Sequence, residues 1–184
     1  MSGTPRVIPN LDACIDCGAC EVACNRTWDL PQDTNRIRVV THNEGDQGGR
    51  FRKGETNVPM SCYHCEEAPC MDVCPTDALY KDEDGLVQID KDDCIGCSYC
   101  AWSCPFGAPQ FPGEEESTGD AGPMDKCDLC KPRLDEGKDP ACVSECPTDA
   151  LVFGTPSEIS TDLRENRTGD LFKGDLAGVV FGDD

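Results

Sequence analysis

The feature that most constrains this chain is its sixteen cysteines, which fall into four runs of four with closely related gaps. The first run is Cys14-x2-Cys17-x2-Cys20-x3-Cys24 and the third is Cys94-x2-Cys97-x2-Cys100-x3-Cys104. The second, Cys62-x2-Cys65-x4-Cys70-x3-Cys74, has a longer middle gap, and the fourth, Cys127-x2-Cys130-x11-Cys142-x3-Cys146, a much longer one. Every run closes on x3-Cys, and all but the first put proline next, at Pro75, Pro105 and Pro147. The repeat extends beyond sulfur, because Cys74-Pro-Thr-Asp-Ala-Leu79 recurs as Cys146-Pro-Thr-Asp-Ala-Leu151. Self-similarity of this kind predicts equivalent folds for equivalent segments.

A cysteine content of about nine per cent in 184 residues belongs either to disulfide-stapled secreted chains or to metal proteins. The secreted reading needs an export signal, and Met1 to Asp12 offers no apolar core, twin arginine or cleavage-like site. The metal reading fits better. Cys-x2-Cys-x2-Cys places three thiolates round one face of a cubane while the intervening backbone N–H groups point at its sulfides. In two-cluster ferredoxins the fourth cysteine of each run ligates the other cluster, so four runs build four cages. Zinc normally takes two Cys-x2-Cys pairs separated by a longer loop, which the tripled runs do not offer. All sixteen cysteines are therefore candidate ligands of four 4Fe–4S clusters. Neither His42 nor His64 directly follows a Cys-x-x-Cys, which excludes a haem attachment site. His64 lies inside the second run, where a surface or packing role is favoured over a hydrogen bond to a cluster. No nucleophile constellation, phosphate loop or nucleotide fingerprint occurs, so no catalytic residue is assigned.

Composition agrees. With six Phe, two Trp and three Tyr, a hydrophobic core alone would hold the chain poorly, and inorganic staples then contribute folding free energy directly. The formal charge of −20 argues against a nucleic-acid partner; four clusters with their thiolates would carry it to about −28. This acidic, lysine-poor composition resembles that of proteins from salt-loving archaea, in which salt screens the self-repulsion. No stretch approaches the roughly 18 apolar residues of a membrane span, so membrane contact is expected only through a partner.

Local pattern predicts an α+β fold of short helices and β-hairpins with much loop. Ala78-Leu-Tyr80, the turn-rich Lys81-Asp-Glu-Asp-Gly85 and Leu86-Val-Gln-Ile89 read as a hairpin leading into the third run. The x3 spacing and the following proline place each closing cysteine at a helix end. Arg36-Ile-Arg-Val-Val40 reads as one strand, followed by a polar excursion to residue 61. Residues 107–125, with Gly113-Glu-Glu-Glu-Ser-Thr-Gly119, read as an exposed acidic loop. The tail from Thr155 to Asp184 is polar with a late apolar patch, Leu176-Ala-Gly-Val-Val-Phe181, that either docks on a partner or covers the domain.

Ser61-Cys-Tyr-His-Cys-Glu-Glu-Ala-Pro-Cys70, Cys94-Ile-Gly-Cys-Ser-Tyr-Cys100, Cys104-Pro-Phe-Gly-Ala-Pro109 and Lys126-Cys-Asp-Leu-Cys130 resemble the iron–sulfur subunits of the dimethyl sulfoxide reductase family, over about residues 10 to 154. The resemblance implies an electron-transfer subunit with no substrate site of its own. Its partners would be a large molybdopterin catalytic subunit holding molybdenum or tungsten, and a membrane anchor or other redox protein. A free polyferredoxin serving several enzymes is the alternative. The resemblance also implies the ligand sharing, which spacing leaves open: Cys14, Cys17, Cys20 and Cys146; Cys24, Cys127, Cys130 and Cys142; Cys62, Cys65, Cys70 and Cys104; Cys74, Cys94, Cys97 and Cys100. Two bacterial-ferredoxin-like modules result, nested in sequence. Residues 1–61 plus 105–154 form the outer one, 62–104 the inner one, and 155–184 a C-terminal tail. Some relatives replace a cysteine of the third run with tryptophan and hold a three-iron cluster; here all four are present. The missing proline after Cys24, where Asn25 stands, and the distinct tail depart from the family pattern. With no signal, the expected location is the cytoplasm, or beyond it after export already folded beside a twin-arginine-signalled partner.

Overall fold

The computed structural model describes residues 3–31, 34–43, 55–112 and 122–173. In chain order its elements are β1 (Arg6–Pro9), α1 (Ala19–Trp28), β2 (Ile37–Asn43), β3 (Glu55–Ser61), α2 (Pro69–Asp72), β4 (Leu79–Lys81), β5 (Val87–Ile89), α3 (Tyr99–Ser103), α4 (Lys131–Asp135), α5 (Ala141–Ser144), β6 (Leu151–Gly154) and α6 (Pro156–Lys173). Strands pair only two by two and antiparallel, β1 with β6, β2 with β3 and β4 with β5. This is the loop-rich α+β fold of short helices and hairpins that the sequence predicts.

The internal repeat is visible atom by atom. After Cys74 and Cys146 the chain turns through left-handed Asp77 and Asp149, at φ 56° and 51°, into β4 and β6. The partner strands β5 and β1 lead into the third and first runs through the same turn. Asp90 N–H donates to Ala78 O at 2.8 Å, as Asn10 N–H does to Ala150 O at 2.7 Å. Asp90 and Asn10 then each accept, on a side-chain oxygen, the N–H two residues on, at 3.0 and 3.3 Å, an Asx turn that mimics a backbone turn. The two halves differ in chain order. In one, β4 and β5 are joined by the hairpin loop 82–86; in the other, β1 and β6 lie near opposite ends of the described chain, paired Arg6 with Gly154 through Pro9 with Leu151. The inner half is thus a circular permutation of the outer one.

Three segments depart from the expectations. Residues 55–61 are not excursion but strand β3, in register Ile37↔Ser61 and Val39↔Pro59; a two-stranded ribbon has two edges, and an outward-facing edge tolerates proline, which donates no ladder hydrogen bond. The tail begins as an eighteen-residue helix, α6, started by a capping box. Thr155 N–H donates to Glu158 Oε2 at 2.8 Å, and Glu158 N–H to Thr155 Oγ1 at 3.4 Å. Helix α1 does not stop at Cys24. Helices α2, α3 and α5 all end at or just before their closing cysteine, where proline follows, whereas Asn25 lets α1 run on to Trp28. The apolar patch 176–181, the acidic stretch 113–121 and residues 44–54 lie outside the described residues.

The chain entering strand β5 divides the apolar core. Leu86 packs with Val7, Ile37, Leu129 and Leu151, while its neighbour Val87 packs with Ala68, Leu79 and Met124, the two-residue period of an extended chain sending successive side chains opposite ways. An ionic clamp completes the joint. Arg36 grips Asp125 with two nitrogens at 2.7 and 2.9 Å and reaches Asp128 at 3.2 Å. Lys91 meets Asp125 at 3.0 Å. Burial alone would raise Asp125, but Arg36 and Lys91 hold its carboxyl below the ordinary value.

Candidate metal centres

Each run owes its shape to left-handed residues. Asp16 and Gly18 in the first run match Gly96 and Ser98 in the third, all between φ 57° and 69°. His64 in the second matches Leu129 in the fourth, at 45° and 57°. Such turns aim successive N–H groups toward one side of the loop. Several reach sulfur: Leu129 N–H lies 3.4 Å from Cys127 Sγ, Ala150 N–H 3.2 Å from Cys146 Sγ and Met124 N–H 3.4 Å from Cys94 Sγ. At Gly96 the turn demands glycine twice over, since a Cβ would also stand 2.8 Å from the carbonyl oxygen of Gly122.

The fold gathers these sulfurs into cavities. One is walled by Cys24, Cys127, Cys130 and Cys142 with Val7, Ile37 and Leu129 among the apolar residues. A second is walled by Cys74, Cys94, Cys97 and Cys100 with Leu79, Ile89 and Met124. Four cysteines and an apolar lining in each suit two copies of one inorganic core. Cys62 also lies close to Cys65, Cys70 and Cys104. Burial first, then the charges of Cys62 and Cys104, push the Cys70 thiol up to about 11. In the first run, burial and then the neighbouring Glu21 and Cys14 push Cys20 to about 11, against the pull of the Glu21 N–H. Cys146 follows α5, which packs on α1. Cys17 and Cys97, at equivalent positions, are the exposed cysteines of the sixteen.

These thiols do not ionise easily by themselves. Burial, then the neighbouring cysteine Cys130, raise Cys24 and Cys142 to about 12, and burial lifts Cys127 well above a free thiol. Two of the closing cysteines, both followed by Pro-Thr-Asp, differ. Burial alone would raise Cys74 and Cys146, yet hydrogen bonds led by the backbone N–H groups of Thr76 and Thr148 bring both below the ordinary value. Buried thiols whose protons are held this firmly are ligands waiting for further positive charge, so metal uptake releases protons. Among the described residues no three His, Cys, Asp or Glu side chains converge closely enough to hold a single metal ion. Four cysteines round one cavity that do not converge on a single point suit a polynuclear core better than a lone zinc.

Buried donors complete the fit. Trp28, under the Arg36 guanidinium at 5.1 Å, lines the cavity of Cys24, and its indole N–H is buried with no partner among the described residues. Buried donors are nearly always satisfied, and cluster sulfur is an acceptor. His64 is fully buried, which removes the surface role; Nδ1 accepts from Val87 N–H at 3.1 Å. Burial, then Lys126 and Arg6, push this ring down to about 3, so it is neutral. Lys126 is itself buried, its ammonium donating to the carbonyl oxygens of Val87 and Cys127. Trp28, Arg36, Asp125 and Lys126 carried no chemical signal in the sequence beyond the place of Lys126 beside a cysteine pair.

Two 4Fe–4S dicluster domain families match this chain, over residues 55–156 and 13–78. It is 44% identical over 169 residues to the formate dehydrogenase iron–sulfur subunit of Wolinella succinogenes, covering 83% of this chain and 82% of that one. The chain belongs to the iron–sulfur electron-transfer subunits of the dimethyl sulfoxide reductase family. Among these subunits, it is 45% identical over 146 residues to the thiosulfate reductase electron transfer subunit of Salmonella typhi, covering 79% of this chain and 72% of that one. To a subunit of the anaerobic dimethyl sulfoxide reductase of Escherichia coli it is 41% identical over 172 residues, covering 91% of this chain and 76% of that one. The cofactors of this electron-transfer subunit are four 4Fe–4S clusters. No helix among the described residues is long and apolar enough to cross a membrane.

Proposed function

We propose that this chain is the non-catalytic electron conduit of a molybdopterin oxidoreductase complex, docked on a large subunit that holds molybdenum or tungsten. The observation that carries this is the pair of four-cysteine cavities in a chain whose relatives bear the names of reductase and dehydrogenase subunits. A bound cluster supplies reversible one-electron storage. The chain's own groups fix the position of that store, exclude water with residues such as Leu129 and Met124, and direct N–H groups at sulfur.

The ligand sets of this reading are Cys14, Cys17, Cys20 and Cys146; Cys24, Cys127, Cys130 and Cys142; Cys62, Cys65, Cys70 and Cys104; and Cys74, Cys94, Cys97 and Cys100. The second and fourth of these rest on the two cavities, the third on the mutual influence of Cys62, Cys70 and Cys104, and the first on the packing of α5 against α1. The outer module comprises residues 1–61 plus 105–154 and the inner module 62–104. A membrane anchor or second redox protein serves as the other electron partner. The complex works in the cytoplasm, or across the membrane after export in folded form beside a twin-arginine-signalled subunit. Affinity purification from the native host, followed by mass spectrometry and metal analysis, tests the reading. A stoichiometric large subunit with molybdenum or tungsten and pterin is expected; a stable iron–sulfur monomer would overturn it in favour of a free polyferredoxin.

A further inference from the structure

His64 and Leu129 occupy one position in the two halves of the repeat, the residue before the second cysteine of Cys62-x2-Cys65 and Cys127-x2-Cys130. Both are left-handed and both are buried, at 0% and 1% exposure. Leu129 lines the cavity of its own cysteine set, and the repeat puts His64 in the matching place beside Cys62, Cys65, Cys70 and Cys104. An imidazole there is costly unless both nitrogens are satisfied. Nδ1 accepts from Val87 N–H, so the proton of the neutral ring sits on Nε2. That Nε2–H has no partner among the described residues. The charged neighbours that the ring feels, Lys126 and Arg6, are donors and have no lone pair to offer. What the position lacks is an acceptor.

We infer that His64 Nε2–H donates a hydrogen bond to sulfur of the cluster held by Cys62, Cys65, Cys70 and Cys104, and so sets its reduction potential above that of the cluster beside Leu129. This rests on the ligand sets proposed above. A donor to cluster sulfur stabilises the reduced form, which carries the extra negative charge, more than the oxidised one. The buried Lys126 ammonium, held by the carbonyl oxygens of Cys127 and of Val87, the residue whose N–H meets His64, adds fixed positive charge nearby. The quasi-equivalent cage has Leu129 where the donor would be. Two cages built on one plan are thereby given different affinities for the electron, and His64 is a tuning residue rather than a ligand.

The test uses the cluster-loaded full chain, reduced stepwise and followed by EPR, with iron counted first. His64→Leu, which copies the equivalent site, is expected to lower the potential of one couple. A tenfold shift of its oxidised-to-reduced ratio, about 59 mV for one electron, would leave the other three couples in place. His64→Gln, which retains a side-chain N–H, is expected to recover part of the shift. If His64→Leu fails to load its clusters, wild-type chain labelled with 15N-histidine supplies the answer. Pulsed EPR of the reduced protein should show one ring-nitrogen coupling on one cluster, persisting when the exposed second histidine is replaced in His42→Asn. Four cubanes with no 15N coupling, or four unchanged potentials in loaded His64→Leu, would overturn this inference alone. Fewer than four cubanes in the wild type would overturn the ligand sets and the inference with them.

Discussion

The inner and outer halves are made from the same parts in a different order. In the inner half the strands flanking the cysteine runs are β4 and β5, joined by a short hairpin loop between Lys81 and Val87; in the outer half they are β1 and β6, whose pairing joins Arg6 to Gly154. Local closure costs little chain entropy, and the long closure costs more, although the cost grows only slowly with length. The runs and their turns therefore specify the cage, while the order of connection is free to change. The outer half carries compensations for its longer closure. Helix α1 runs past its closing cysteine, the β2–β3 ribbon contacts it, with Val39 N–H donating to Glu21 at 2.6 Å, and Arg36 clamps Asp125 and Asp128.

Iron removal should erase the distinction between the halves most completely. Chelation should unfold both together, since each buries thiols where other domains bury leucines; circular dichroism that stays native after iron loss would show a core that stands by itself. Next in size are single ligand losses. Cys142→Ser in the outer half and Cys97→Ser in the inner half should each remove or convert one cluster, lowering iron by up to about a quarter with four equal clusters. The buried Cys142 should cost more stability than the exposed Cys97; equal melting temperatures would count against the burial argument. Asp125→Ala releases both Arg36 and Lys91, and breaking a buried pair typically costs about 3 to 5 kcal/mol. Chemical denaturation should register that as a lower midpoint, and an unchanged midpoint would show that Asp125 does not join the halves. Asn25→Pro gives the first run the proline that the other runs have. Because α1 continues there, it should cost about 3 kcal/mol in the same denaturation experiment, whereas the same residue type at Pro75, Pro105 and Pro147 is harmless. Smallest is the effect of salt, where molar KCl should raise the melting temperature by screening the charge of −20; no gain would remove the halophile reading of the composition.

Much of this was legible in the cysteine gaps. The β4–β5 hairpin and the placing of Cys74, Cys104 and Cys146 at helix ends follow from spacing, proline and the repeated Pro-Thr-Asp-Ala-Leu segment, whereas Cys24, with no proline after it, sits inside α1. Ligand sharing was not legible from spacing, because runs alone do not say which distant cysteine closes which cage. Strand β3 was hidden by Pro59 in a polar sequence, and α6 by its lack of a repeating apolar stripe, although Thr155-Pro-Ser-Glu158 spelled its capping box. The burial of His64 was hidden because a lone histidine between ligands carries little signal. Aligning the second run on the fourth pairs it with Leu129 and exposes the contrast.

The pairing of β1 with β6 also sets a timetable for biosynthesis. Chains leave the ribosome N-terminus first at about 5 to 20 residues per second, so β1 emerges and then waits on the order of ten seconds for β6. The β4–β5 hairpin is complete long before that. The inner half can close first and present Leu86 as a ready surface, and the earliest cysteines to be made belong to the half that is sealed last.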